Sequence, residues 1–185
     1  AARAAGLPIV YGAELTLVSD ALRGIVAGSS APGWGLAPGA EDPGMRLPIL
    51  ATSPRGYANL VGAMSERALS APGERKPRHS LVNLSEAGGD LIVLTGGKRG
   101  PLMRALRAGG IASARRVLDG LVDAFGRDNV LVEWQASRGD EREVAETLAN
   151  LAHTRGTRLV ATTGARMSSP SQQALGDILA ATRLG

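Results

Sequence analysis

Short β-branched and aliphatic runs alternate along this chain with longer segments of helical periodicity, and no other feature constrains its fold so strongly. The runs at 8–18 (PIVYGAELTLV), 46–53 (RLPILATS), 91–97 (LIVLTGG), 129–136 (NVLVEWQA) and 158–164 (RLVATTG) read as five strands. Pro48 places the second of these at a sheet edge or a strand start, because proline donates no ladder hydrogen bond.

Helices are predicted between them. Residues 54–70 carry Tyr57, Leu60, Val61 and Met64 at i, i+3, i+4 and i+7, with Pro54 suited to the first turn. Residues 80–89 form a short helix capped by Ser80. Residues 101–110 and 111–126 form two more, the second with Leu118, Leu121, Val122 and Phe125 on one face. Residues 140–156 begin with Asp140 and Glu143 at capping-box spacing and bury Val144, Leu148, Leu151 and Ala152. A last helix covers 169–184, and a helix tail ends at Gly6. Residues 29–45 (Gly- and Pro-rich) and 71–79 (polar) read as loops. Strands and helices in this order imply βαβ units, hence an α/β fold with a mostly parallel sheet or barrel.

With 185 residues the chain suffices for one domain with a core. It has no cysteine and no apolar run long enough to cross a membrane, so disulfides, thiolate ligands and a membrane partner are not expected. A cytoplasmic location is compatible with that composition. The net charge is +4, and 19 of the 21 basic residues are Arg. Their scatter argues for base composition of the gene rather than a nucleic-acid face. Five dispersed aromatics (Tyr11, Trp34, Tyr57, Phe125, Trp134) do not make a base-stacking platform.

Ligand sites of α/β folds gather where strands end. The last strand ends within RLVATTGARMSSP (158–170), and the sole ionisable side chain beyond its apolar run is Arg166. The turn GGKRG (96–100) offers Lys98 and Arg99 as phosphate contacts, although it lacks the Ser or Thr and the spacing of a P-loop. His79 reads as a loop residue and His153 as a solvated one. With no Cys and two separate His, nucleophilic catalysis has little support. Glu14 and Glu133 are carboxylates within strands, where a partner is required.

Five stretches stand in a familiar order: GLPIVYGAELTL, LPILATSPRGYANLVGAMS, LIVLTGGKRGPLMRALRAGG, FGRDNVLVEW and RLVATTGARMSSP. Together they resemble the PHP (polymerase and histidinol phosphatase) domain of bacterial DNA polymerase III alpha subunits, nearer to the error-prone paralogue. The resemblance implies a distorted barrel of seven β/α units. Residues 1–185 would then be a partial PHP domain, lacking the first β/α units and their His-x-His ligands, with polymerase palm, thumb and fingers beyond residue 185.

The resemblance also implies where the family's metal ligands would stand. Glu14 matches a ligand carboxylate, whereas Arg46, Gly97, Gly164 and Arg166 occupy the other positions. Glycine has no donor and Arg cannot lose its proton to bind a cation. The expectation is therefore no metal here, with Glu14 in a buried ion pair with Arg46 or Arg166, and with Glu133 structural. No residue of this segment is expected to be catalytic and no cofactor is expected in it. The parent implied is an error-prone DNA polymerase used in lesion bypass. It would hold magnesium in its polymerase domain and have DNA, the remaining polymerase domains and replication or mutagenesis accessory proteins as partners. The alternative is a metal-dependent phosphoesterase or proofreading exonuclease. A third reading is an anion-binding module using Lys98, Arg99, Arg46 and Arg166.

Overall fold

Each of the five apolar runs forms a strand, and a sixth joins them at the edge of one mixed sheet. The computed structural model describes residues 3–18, 44–70, 72–73, 77–86, 89–135, 142–164 and 167–184. Most of the 29–45 loop, the Asp140 capping position and Arg166 lie outside the described residues. The strands are β1 (Tyr11–Leu17), β2 (Met45–Ala51), β3 (Arg78–His79), β4 (Leu91–Leu94), β5 (Val130–Gln135) and β6 (Arg158–Thr162). The helices are α1 (Pro54–Ser70), α2 (Leu81–Glu86), α3 (Pro101–Phe125), α4 (Arg142–Arg155) and α5 (Gln173–Leu184).

The sheet order is β3-β1-β2-β4-β5-β6. β4, β5 and β6 run parallel, but β2 is antiparallel to both β1 and β4. Five of the six strands run the same way, so the sheet is mostly parallel, as expected, with β2 the exception. One expectation is corrected: Pro48 lies neither on an edge strand nor at a strand start but in the middle of the interior β2. Pro48 is tolerated there because the β2–β4 pairing ends at Ile49, one residue before the proline is reached. The second correction is β3, expected as loop: Arg78 and His79 pair with Thr16 and Leu17, and the Val18 N–H donates to the His79 carbonyl at 3.1 Å.

The register assigns each strand residue to a face. One face carries Leu15, Leu17, Met45, Leu47, Ile49, Leu91, Val93, Val130 and Val132, all buried in a single core with residues of α1, α2, α3 and α4. Leu102, Val117, Leu118, Leu121 and Leu148 are its helical half. α3 joins the two expected helices across a kink, where Gly109 and Gly110 leave helical geometry. Ser80 caps α2 as expected, accepting from the Asn83 N–H at 3.2 Å. In α1 the anticipated stripe is buried at Leu60 alone, while Tyr57, Val61 and Met64 are exposed.

The opposite face carries Glu14, Thr16, Arg46, Pro48, Leu50, Ile92, Leu94, Leu131, Glu133, Gln135, Val160 and Thr162. Most of its apolar members are only half-buried. α5 also exposes its apolar side chains Leu175, Ile178 and Leu179.

Candidate functional site at the strand ends

Because β2 runs against its neighbours, its first residues lie at the same sheet edge as the last residues of β1, β4, β5 and β6. That edge collects Thr16 and Arg46, the Gly97–Arg99 turn after β4, Glu133 and Gln135 on β5, and Thr162 and Gly164 at the end of β6. It is the edge at which α/β folds place their ligands.

Arg46 holds the β1–β2 corner. Its Nη1 donates to Thr16 Oγ1 at 3.0 Å, and its Nε stands 3.7 Å from Glu14 Oε1. The expected partnership is present, but it is not buried: the Glu14 side chain is 58% exposed and that of Arg46 24%. Glu14 lies near the free, outer part of the sheet face, where water solvates it. The long Arg side chain reaches out to it along the strand.

Glu133 is the buried carboxyl of this edge, 4% exposed. The Thr162 hydroxyl donates to its Oε1 at 2.5 Å, whereas Oε2 is buried with no partner among the described residues. Its backbone N–H donates to Thr95 Oγ1 at 2.9 Å, tying β5 to the end of β4.

The turn after β4 is a single 3-10 turn, Gly97–Arg99. Lys98 and Arg99 are exposed, and Arg107 Nη1 donates to the Lys98 carbonyl at 3.0 Å. Beside the turn lies a cavity of about 200 Å³ lined by Met103, Leu106, Trp134, Val144 and Leu148. The turn leads through Gly100 into α3, and the Arg46 backbone carbonyl packs against Gly96 at its start.

Gln135 is the residue that sequence reasoning missed. Gly97 (φ +49°) and Gly164 (φ +58°) face its side chain from two different turns. A Cβ at position 97 would meet Gln135 Oε1 at 3.0 Å, and one at position 164 would meet Nε2 at 2.5 Å. The amide thus lies in the space that side chains at both positions would fill. Period-two spacing from Glu133 was the signal that would have found it.

His79, expected in a loop, is 4% exposed in β3. Burial first, and the Arg67 guanidinium second, lower its pKa below the usual 6.5. His153 is exposed on α4, as expected. Among the described residues no three His, Cys, Asp or Glu side chains cluster as a metal-binding group, and no helix is long and apolar enough to cross a membrane.

Residues 1–137 match the PHP domain family. The chain is 37% identical over 178 residues to an error-prone DNA polymerase of Mycobacterium tuberculosis, covering 94% of this chain and 15% of that protein. An error-prone DNA polymerase of Cutibacterium acnes is 37% identical over 188 residues, or 99% of this chain and 15% of its own length. A DNA polymerase III subunit alpha of Caulobacter vibrioides is 29% identical over 170 residues, again 91% of this chain but 14% of the relative. The chain therefore spans about 15% of the length of these curated relatives.

Proposed function

The chain belongs to the PHP-domain family, and from that premise we propose that it is the PHP portion of an error-prone DNA polymerase, serving there as scaffold rather than catalyst. The observation that carries this reading is the breadth of the match: 94% of the chain aligns with a relative of that name. DNA synthesis on a template, lesion bypass in DNA repair, DNA and accessory proteins as partners, and a cytoplasmic location belong to the proposal for the whole protein. So does magnesium, held by a polymerase domain outside this chain.

The proposal treats residues 1–185 as one partial PHP domain and 29–45 as its loop. The open sheet supports a reading as an arc of a distorted barrel of seven β/α units. β3 and β6 stand at its two ends, and the helical half of the core covers one face, as in a barrel wall.

The scaffold role rests on the strand ends. A catalytic metal site keeps at least three protein ligands and an open position. In the positions that the family resemblance assigns to ligands, Glu14 stands beside the Arg46 guanidinium, Gly97 and Gly164 supply no side chain, and position 166 is Arg. The alternative, a metal-dependent phosphoesterase or proofreading exonuclease, is separated by assay of the intact polymerase. Primer extension past a lesion should be unaffected by Glu14→Gln. Removal of a primer-terminal nucleotide, with manganese or zinc supplied, should stay at the level of a reaction without protein. Hydrolysis that Glu14→Gln abolishes would establish the alternative.

A further inference from the structure

We infer that the strand-end site of this PHP domain is closed by the Gln135 amide, which occupies the space between the β4 and β6 turns and stands where the family would hold a metal ion. The inference rests on the scaffold reading and adds to it the group that replaced the metal.

Gly97 and Gly164 are separated by more than sixty residues, yet both turn their Cα toward one side chain. The imaginary Cβ at 164 lies 2.5 Å from Nε2 and 2.7 Å from Cδ of Gln135, and that at 97 lies 3.1 Å from Cδ. The contacts at 164 are shorter than packed atoms tolerate, whereas those at 97 are tight enough that the amide must give by a few tenths of an ångström. A ligand side chain at 164 and this Gln135 conformer exclude each other.

Among the described residues, the donors left at this edge do not fit a divalent cation. The amide is neutral, and a single buried carboxyl, Glu133, already accepts from Thr162. Among the described residues Glu133 Oε2 has no hydrogen-bond partner and would welcome a cation, but one carboxyl does not meet the requirement for three ligands. Glu14 is held by Arg46, whose positive charge opposes a second cation.

The amide ends a flexible side chain, so substitution tests its role directly. Gly164→Ala is introduced into the wild-type chain and into a Gln135→Ala background, and thermal midpoints are measured. The strain of a positive φ is common to both backgrounds and cancels in the comparison. The expected result is a loss of midpoint in wild type that at least halves once Gln135 is truncated. Equal losses would show that the amide does not fill the space and would overturn the inference. Equilibrium dialysis of the wild-type chain against zinc or manganese chloride, followed by elemental analysis, is expected to leave less than a tenth of an ion per chain. Half an ion or more, removed by Glu133→Gln, would overturn it equally. The nuclease assay above tests the scaffold reading separately: hydrolysis lost on Glu14→Gln with the Gly164–Gln135 coupling intact would refute that reading alone.

Discussion

Arg46 bridges two neighbours on β1, donating from Nη1 to Thr16 while its Nε stands 3.7 Å from Glu14 Oε1. Thr16 is buried and Glu14 exposed, so the two contacts differ in worth. Solvent screens the ion pair, and exposed pairs contribute about 0.2–1 kcal/mol. Glu14→Gln is therefore expected to lower stability by no more than about 1 kcal/mol. A double-mutant cycle with Arg46→Met, read from urea denaturation, should return a coupling within that range. A coupling several times larger would mean that the pair is desolvated in solution.

The Thr162–Glu133 bond is the reverse case, a hydrogen bond at 2.5 Å to a buried carboxyl. Thr162→Val keeps the shape and removes the donor, leaving both carboxyl oxygens without a partner among the described residues. Hydrogen bonds of this kind contribute about 1.5–3 kcal/mol, which is the expected loss. Thr162→Ser should keep most of the stability. Urea midpoints of the two variants that coincide would refute the assignment.

Parts of this arrangement were legible in the sequence and parts were not. The long strands announced themselves because one whole face is apolar, as in Leu47 and Ile49 or Val130 and Val132. β3 did not, since Arg78 and His79 are two polar-flanked residues placed by pairing with Thr16 and Leu17 rather than by their own propensity. Strand direction was likewise hidden: nothing local in RLPILAT says that β2 runs against its neighbours. The Glu14–Arg46 pair was foreseeable from the resemblance, but its exposure depended on where the sheet face is left uncovered. Gln135 escaped because its role depends on two glycines brought to it by separate turns.

Ser53 joins α1 to the sheet. Its Oγ accepts from the Gly56 N–H at 3.1 Å and donates to Asp90 Oδ2 at 2.9 Å. Ser53→Ala removes an N-cap and a donor to Asp90 together. A loss of about 0.5–2 kcal/mol is expected from the cap. Ser53→Asp should not rescue it, because a carboxylate would face that of Asp90. Thermal melts of the two variants check this, and a full rescue by Asp would show that the Asp90 contact is absent.

His79 ties stability to pH. Its folded-state pKa lies below the unfolded value of 6.5, through burial and then through Arg67. The unfolded chain therefore binds the proton first as pH falls. Its contribution to stability is fully present above pH 6.5 and is lost as pH drops through the folded-state pKa. Midpoints measured between neutral and mildly acidic pH should fall more steeply for wild type than for His79→Gln. Parallel curves would mean that His79 reaches solvent when folded.

α5 makes the last prediction. Leu175, Ile178 and Leu179 share one helical face and are 54%, 63% and 61% exposed, a stripe at the spacing of helices that pack. The second face of the sheet, for its part, leaves Leu50, Ile92 and Leu131 half-buried. Apolar surface of this kind drives self-association when nothing covers it. The chain alone is therefore expected to form oligomers or to precipitate at high concentration. Ile178→Lys with Leu179→Lys should shift light-scattering mass toward the monomer. Because neither side chain belongs to the core, the thermal midpoint should hold, in line with surface changes of about 0.5 kcal/mol or less. A wild-type chain that is already monomeric at high concentration would contradict the prediction. So would a double variant that loses its cooperative transition, since the α5 face would then be packed rather than exposed.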